Sequence, residues 1–230
     1  MSEIKIQING KECVARAGQT IVEAAKANGI YIPTLCNFEG LKPAGTCRIC
    51  TVKVGGRNMA ACTTPVGNGM MVETNTAELE ELRKAIVEML FVEGNHMCPT
   101  CEKSGNCELQ ALGYRYRMMV PRFPYLFPVR QVNAGSPKIY IDGNRCVQCL
   151  RCVRSVKSPD GKKVFGLVKR GAKTIISIDS ALAAGLTEEQ AQKAMEMCPV
   201  GAILRKEVGF QVPIGSRKFD AKQIGSDIEK

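Results

Sequence analysis

The cysteines are the residues of this chain best suited to chemistry, and there are twelve of them in 230 residues. The first group is built around a close pair of cysteines with two residues between them. One further cysteine lies ten residues before the pair, and another lies eleven residues after it. This group is Cys36, Cys47, Cys50 and Cys62. Four thiolates brought to one point are what a 2Fe-2S cluster needs. The spacing therefore predicts a 2Fe-2S site.

A second group, in the motif HMCPTCEKSGNC, has three cysteines: Cys98, Cys101 and Cys107. A four-ligand site needs another donor, and His96, the one histidine of the chain, lies two residues before Cys98. Two interpretations remain open here, an iron–sulfur cluster with one histidine ligand and a zinc site with three cysteines and one histidine, because zinc accepts the same ligands. Cys13 could replace His96, but we expect it to be a small buried hydrophobic residue.

The third group is the triplet CVQCLRC, which supplies Cys146, Cys149 and Cys152. Three cysteines at this spacing can wrap one corner of a cubane 4Fe-4S cluster, whose fourth iron then needs a distant cysteine. Cys198 is followed by Pro199, as at the end of bacterial ferredoxin sites. Val156 stands where two-cluster ferredoxins carry a further cysteine, so we expect one cubane here.

Eleven of the twelve cysteines together with His96 give twelve donors, which is enough for three sites of four ligands each. Cys13 is the one cysteine that remains. The sequence shows no apolar secretory leader and no run long enough to span a membrane, so we expect a cytoplasmic protein whose cysteines bind metal rather than form disulfides. The sequence has no GxGxxG motif. Gly166 and Gly171 have the spacing of a P-loop, but Ala172 stands where a P-loop requires lysine. We therefore expect no catalytic residue and no nucleotide site.

The formal charge of +10 suggests a nucleic-acid partner, and a basic zinc protein that binds nucleic acid is the alternative from another functional class. Thiolate-bound clusters would carry compensating negative charge, however. The CxxCxxC triplet also argues against zinc, which usually binds paired CxxC motifs. We therefore favour iron–sulfur clusters, no nucleic-acid partner and no membrane span.

The elements that must position the first group resemble a β-grasp order, with a small mixed sheet on one helix. The predicted elements are strands at 4–8 and 11–17 joined by Asn9-Gly10, a helix from Thr20 with Glu23 as capping box, a hairpin at 51–54 and 57–61, and a strand at 70–74.

Helices deliver the chain to the second and third groups. A helix capped by Asn75 or Thr76 should run to about Val92, with an apolar face of Leu79, Leu82, Ile86, Met89 and Leu90. The remaining predictions are a short helix at 108–117, an extended proline-rich segment at 121–137, strands at 139–141, 164–168 and 174–178, and a helix capped by Thr187 with Gln190.

The predicted class is α+β: an N-terminal β-grasp 2Fe-2S ferredoxin domain, a helical 4Fe-4S segment whose ligands are one histidine and three cysteines, and a C-terminal 4Fe-4S ferredoxin-like domain. The expected boundaries are 1–76, 77–136 with the proline-rich connection, and 137–208. A polar tail at 209–230 should wrap a neighbour or stay loose.

Six phrases of the chain resemble the small iron–sulfur (diaphorase) subunit of soluble NAD-reducing nickel–iron hydrogenases. They are YIPTLC (31–36), GTCRIC (45–50), FVEGNHMCPTCEKSGNCELQALGY (91–114), RFPYLFPVR (122–130), CPVGAI (198–203) and PIGSRKF (213–219). The chain is also similar to the iron–sulfur parts of the complex I large subunit and of iron-only hydrogenases. Complex I relatives usually place the histidine four residues before the first cysteine, where this chain has Gly94.

The resemblance implies one 2Fe-2S and two 4Fe-4S clusters on the donors named above. It implies an electron relay between nickel–iron hydrogenase small and large subunits and a flavin/NAD-binding diaphorase subunit, in either direction. The equivalent relay of a complex I-like enzyme or a formate dehydrogenase is the alternative within the same class.

Overall fold

The N-terminal part of the fold is a sheet covered by one helix, in a computed structural model that describes residues 3–229. The elements are β1 (Glu3–Ile8), β2 (Lys11–Arg16), α1 (Ile21–Ala27), β3 (Thr51–Val54), β4 (Arg57–Ala60) and β5 (Met71–Glu73). The strand order is β2-β1-β5-β3-β4, and β1 pairs in parallel with β5 while the other pairs are antiparallel. Apolar residues of α1 and the sheet share one core with Cys13, Cys50 and Cys62. This arrangement confirms the β-grasp prediction.

Local signals set the turns and helix starts of this part. Asn9 and Gly10 have φ values of 53° and 78°, as a type I′ turn between β1 and β2 requires. Thr20 caps α1, and its side chain and that of Glu23 each accept a hydrogen bond from the other's backbone N–H. The predicted hairpin and capping box are both confirmed.

The next helix, α2 (Ala77–Val92), begins after the cap Thr76 as predicted, but its buried face differs from the prediction. Met89 is 40% exposed, whereas Arg83 is 2% exposed and Glu88 is fully buried. Arg83 donates from Nε to the Ile49 carbonyl at 3.3 Å and from Nη2 to the Thr51 carbonyl at 2.9 Å. The helix therefore inserts a charged side chain beside the strand that follows Cys50.

Short elements form the rest of the chain. They are α3 (Glu108–Arg115), β6 (Val132–Asn133), β7 (Ile139–Asp142), α4 (Arg151–Ser155), β8 (Phe165–Val168), β9 (Ile175–Ile178), α5 (Ser180–Ala184), α6 (Glu188–Met197) and β10 (Ile203–Arg205). The strands make a sheet of order β10-β7-β6 and a separate β8-β9 pair. Thr187 and Gln190 cap α6 as predicted, whereas β6, α4, α5 and β10 were not predicted. The α+β class is confirmed.

A second core connects the parts of the chain. It extends from Leu35 and Ile49 of the N-terminal part through Leu109 and Leu112 of α3 to Ile203 of β10. The chain therefore packs its three cysteine groups around shared apolar contacts.

The tail folds back on its own chain rather than staying loose. The Phe219 N–H donates to the Gly105 carbonyl at 2.9 Å, and Arg115 donates to the Ile224 carbonyl at 2.8 Å. Gly225 lies so close to the ring of Tyr31 that a Cβ there would be 2.4 Å from it. The tail thus connects the helical segment to the N-terminal part.

The proline-rich segment is extended, as predicted, and carries much exposed apolar surface. The exposed apolar side chains of this segment and of the two residues before it are Met119, Val120, Phe123, Tyr125, Leu126, Phe127, Val129 and Val132. The backbone is nevertheless fixed, because Leu126 N–H donates to the Val92 carbonyl at 3.0 Å and Asn95 donates to the Pro128 carbonyl at 2.7 Å. Among residues 3–229, no helix has the length and apolar character to cross a bilayer.

Candidate iron–sulfur cluster sites

The four cysteines of the first group are neighbours at the end of the β-grasp sheet. Cys36, Cys50 and Cys62 are buried, and Cys47 is half-buried. Hydrogen bonding with the thiol of Cys47 and then that of Cys62 lowers the pKa of Cys36. Hydrogen bonding with Cys62 likewise lowers the pKa of Cys50 to about 7. The fold therefore places all four predicted donors within reach of one another.

The second group lies between α2 and α3. Cys98 and Cys101 flank a single 3-10 turn at Cys98–Thr100, and Cys107 caps α3. Burial raises the pKa of Cys107 to about 12, and the negative charges of Cys101 and Cys98 add to this effect. The three thiols therefore share one site.

His96 has the chemistry of a ligand. Its Nε2 is fully enclosed and has no hydrogen-bond partner, and the ring packs edge-on against Phe91 at 5.3 Å between centroids. Burial lowers the pKa of His96 to about 4, so the imidazole is neutral at pH 7 and can donate a lone pair. The positive charge of Arg145 acts on the pKa of both His96 and Cys98, so both residues lie within the electrostatic reach of this side chain.

Cys13 lies elsewhere, on β2 in the N-terminal core. It is 3% exposed, and its Sγ is 3.5 Å from the Lys11 carbonyl oxygen. The expected role as a buried hydrophobic residue is confirmed.

The third group lines one small apolar cavity. Its lining includes Cys146, Cys149, Cys152 and Cys198 together with Ile141, Ile176, Val200 and Ile203. Burial raises the pKa of Cys146 to about 11 and that of Cys149 to about 12. Among neighbouring charged groups, Cys198 raises both pKa values the most. The triplet and the distant cysteine thus converge, as their spacing predicts.

Backbone N–H groups face several of these sulfurs in a repeated pattern. In four cases the sulfur accepts a hydrogen bond from the backbone N–H of the residue two positions later. The four cysteines are Cys47, Cys107, Cys146 and Cys149. In the triplet, Gln148 and Leu150 adopt left-handed φ values of 51° and 61°. Successive N–H groups in such loops form concavities that favour anions. The loops are therefore suited to stabilise thiolates bound to iron.

Three arginines that the sequence argument missed connect the groups. Arg151 is 1% exposed and forms a two-bond ion pair with Glu108, at 2.8 and 2.6 Å, next to Cys107. From Nη2, Arg154 donates to the carbonyls of Cys36 at 2.6 Å and Cys149 at 3.3 Å. Arg145 lies 3.7 Å from Cys101 Sγ. All three stand within the CVQCLRC motif or no more than two residues from it, and this is the signal that could have revealed them.

Among the described residues, no three His, Cys, Asp or Glu side chains meet closely enough to hold a single metal ion. The four donors of an iron–sulfur cluster are shared among two or four irons, so they do not all converge on one ion. Three observations fit clusters: the enclosed, unpartnered Nε2 of His96, the cavity lined by four cysteines, and the N–H groups that face the sulfurs.

Three families cover most of the chain. Residues 1–77 match a 2Fe-2S iron-sulfur cluster binding domain. Residues 83–122 match the NADH-ubiquinone oxidoreductase-G iron-sulfur binding region. Residues 136–204 match the ferredoxin-like domain of NADH-quinone oxidoreductase subunit 3.

A similar protein of nearly the same length is the gamma subunit of the NAD-reducing hydrogenase HoxS from Cupriavidus necator. It is 49% identical over 222 residues, which are 96% of this chain and 95% of that subunit. The mitochondrial 78 kDa subunit of the NADH-ubiquinone oxidoreductase of Candida albicans is 32% identical over 92% of this chain, but the match covers 30% of that longer protein.

Among solved structures, a chain from the crystal structure of an NAD+-reducing [NiFe]-hydrogenase in the H2-reduced state has the same fold. The TM-score is 0.89 at 37% identity, and the match covers 97% of this chain and 96% of the other. The similarity therefore extends over all three cysteine groups.

Proposed function

This chain belongs to the family of gamma subunits of NAD-reducing hydrogenases, and on this premise we propose that it relays electrons between a nickel–iron hydrogenase module and a flavin/NAD module. The family of its relatives also supports an alternative within the same class, the corresponding part of a complex I-like enzyme. The match over nearly the full length of both chains favours the hydrogenase assembly.

The proposed ligands follow the three groups. Cys36, Cys47, Cys50 and Cys62 would hold a 2Fe-2S cluster, and two 4Fe-4S clusters would be held by His96, Cys98, Cys101 and Cys107, and by Cys146, Cys149, Cys152 and Cys198. When bound, such clusters take up and release electrons one at a time. The single observation that carries the proposal is the convergence of Cys146, Cys149, Cys152 and Cys198 on one enclosed apolar cavity.

The chain's own contribution is to hold these sites close together and out of water. Oxidation of one H2 on a partner subunit would release two protons and two electrons, and reduction of NAD+ to NADH on another partner would take two electrons and one proton. The sum, H2 + NAD+ giving NADH + H+, balances without a bond being made or broken on this chain. We infer that it has no catalytic site of its own.

The proposed partners are the flavin/NAD-binding subunit and the small and large hydrogenase subunits. Support comes from the exposed apolar surface at 119–129, which lies in a stretch without an acidic residue between Glu108 and Asp142. Large exposed apolar patches of this kind mark protein interaction sites. Arg122 of this stretch already pairs with Glu81 and Glu88, so the apolar side chains carry this support.

The test is anaerobic purification of the complex with all its subunits, followed by iron, sulfide, nickel and flavin analysis. We expect at least about ten irons per copy of this chain, because the nickel–iron site adds iron to that of the three clusters, and we expect nickel and flavin in the same complex. A complex with flavin but no nickel would favour the complex I-like alternative. A colourless chain containing zinc would overturn the relay.

A further inference from the structure

Arg145 precedes Cys146 in the third group, yet its side chain turns toward the second group. Its Nη1 lies 3.7 Å from Cys101 Sγ, within the range of an N–H···S hydrogen bond, and 3.5 Å from the Gly201 carbonyl oxygen. The side chain is only 18% exposed. A permanently charged guanidinium therefore faces a proposed cluster ligand in a largely enclosed position.

The charge of Arg145 also reaches two further proposed ligands. Burial is the main cause of the lowered pKa of His96. Among the charged groups that lower this pKa further, Arg145 has the largest effect. Burial raises the pKa of Cys98, and Arg145 works against that change. The charge of Arg145 thus acts on His96 and Cys98 as well as on Cys101, whose sulfur its guanidinium contacts.

Two acidic groups and one glycine hold Arg145 in place. Its Nε pairs with Asp142 at 3.1 Å, and its Nη1 lies 3.9 Å from Glu102. A Cβ on Gly201 would be 2.3 Å from Cys101 Sγ and 3.7 Å from Arg145 Cδ, so the loop after Cys198 has room only for glycine there. These contacts hold the guanidinium beside the Cys101 sulfur.

Other arginines near the groups lack this geometry. Arg130 also acts on the pKa of His96, but its guanidinium donates to the backbone carbonyls of Glu93, Gly143 and Cys146. The guanidinium of Arg205 hydrogen-bonds Glu188 and Gln192 rather than a proposed ligand. Arg145 is distinguished by its direct approach to a cysteine sulfur.

We propose that Arg145 is a positioning residue that raises the reduction potential of the cluster held by His96, Cys98, Cys101 and Cys107. A cluster gains one negative charge on reduction, so a fixed positive charge beside its ligands stabilises the reduced form more than the oxidised form. The N–H···S bond to Cys101 acts in the same direction because it withdraws charge from the sulfur. This inference rests on the ligand set proposed above.

The test compares midpoint potentials in the anaerobically purified complex by redox-titrated EPR. The signal of the second group is first identified as the one that shifts in His96→Cys. We then expect Arg145→Gln to lower the potential of that signal and to shift the other two less. Arg145→Lys keeps the charge and should restore most of the potential. Arg205→Gln, which removes the same charge from the ion pair with Glu188, should leave all potentials unchanged.

Glu102→Gln supplies a measurement of opposite sign. It removes a negative charge beside Arg145 and should raise the same potential, so the inference stays testable even where Arg145→Gln does not retain its iron. Full iron content with an unchanged potential in Arg145→Gln would overturn the inference, as would an equal shift in Arg205→Gln. If Arg145→Gln is deficient in iron, an unchanged potential of the second group in Glu102→Gln would also overturn the inference. If His96→Cys shifts no signal, the ligand set itself is wrong.

Discussion

The imidazole of His96 lies directly over the α-carbon of Gly94. A Cβ built on Gly94 would be 2.6 Å from His96 Nε2 and 2.9 Å from the Asn144 carbonyl oxygen. Relatives from complex I usually carry their histidine at the position of Gly94. In this chain the loop turns back so that the His96 ring packs against Gly94. A side chain at position 94 would occupy the space of the ring, so this loop conformation needs glycine there.

Replacing Gly94 with alanine should therefore displace the His96 ring. We expect Gly94→Ala to diminish the EPR signal of the second cluster and to lower the iron content, while the other two signals remain. Gly166→Ala is the matched control, because a Cβ at Gly166 meets no atom within 4 Å. Equal spectra for the two variants would show that the position of the imidazole does not matter.

Changing the ligand itself should move a potential. His96→Cys replaces a neutral imidazole with a thiolate, which makes the cluster more negative and should lower its reduction potential. Redox-titrated EPR measures the shift. Cys13→Ala serves as control, since Cys13 lies in the N-terminal core and its removal should leave all three potentials in place. A lost cluster in the control would instead identify Cys13 as the missing ligand.

The buried side chain of Arg83 should matter for stability. Arg83→Met keeps an unbranched side chain but removes the hydrogen bonds to the carbonyls of Ile49 and Thr51, on either side of Cys50. We expect a loss of about 2–4 kcal/mol, which lowers the apparent Tm by about 5–10 °C. Differential scanning fluorimetry under anaerobic conditions measures the change. Arg57→Met, at an exposed position of β4, should shift the Tm by less than a degree or two.

The apolar surface at 119–129 should be needed for assembly. Val129 is 100% exposed, so Val129→Asp should leave the fold and iron content of this chain intact but weaken its association with the partner subunits. Native mass spectrometry of the purified complex reports which subunits remain bound. Val168→Asp makes the same change at a position of β8 that is 41% exposed. Retention of every subunit by Val129→Asp, or equal loss in both variants, would exclude this surface as the interface.

Features that depend on a few neighbouring residues could be predicted from the sequence. The Asn9-Gly10 turn and the capping boxes of Thr20 and Thr187 each involve residues no more than three positions apart, and all are present. The cysteine spacing also predicted which thiols lie together, although their roles as ligands remain a prediction. The α+β class followed from the order of these local elements.

Features that depend on distant contacts could not be predicted. Helical periodicity placed Met89 in the core, yet the buried positions include Arg83, because the carbonyls beside Cys50 offer it partners from 32 and 34 residues away. The elements α5 and β10 are too short to show a period. The tail has no periodicity at all, and hydrogen bonds to residues more than 100 positions earlier fix it.

The Nη2 atom of Arg154 donates to the carbonyls of two proposed ligands from different groups, Cys36 and Cys149. Domains within one chain ordinarily move relative to each other unless a substantial interface prevents it. Here this hydrogen-bonding atom and the shared apolar core hold the proposed first and third cluster sites against each other, which disfavours a hinge between them. Tunnelling between them would then proceed at a single rate set by the fold, rather than at an average over open and closed arrangements.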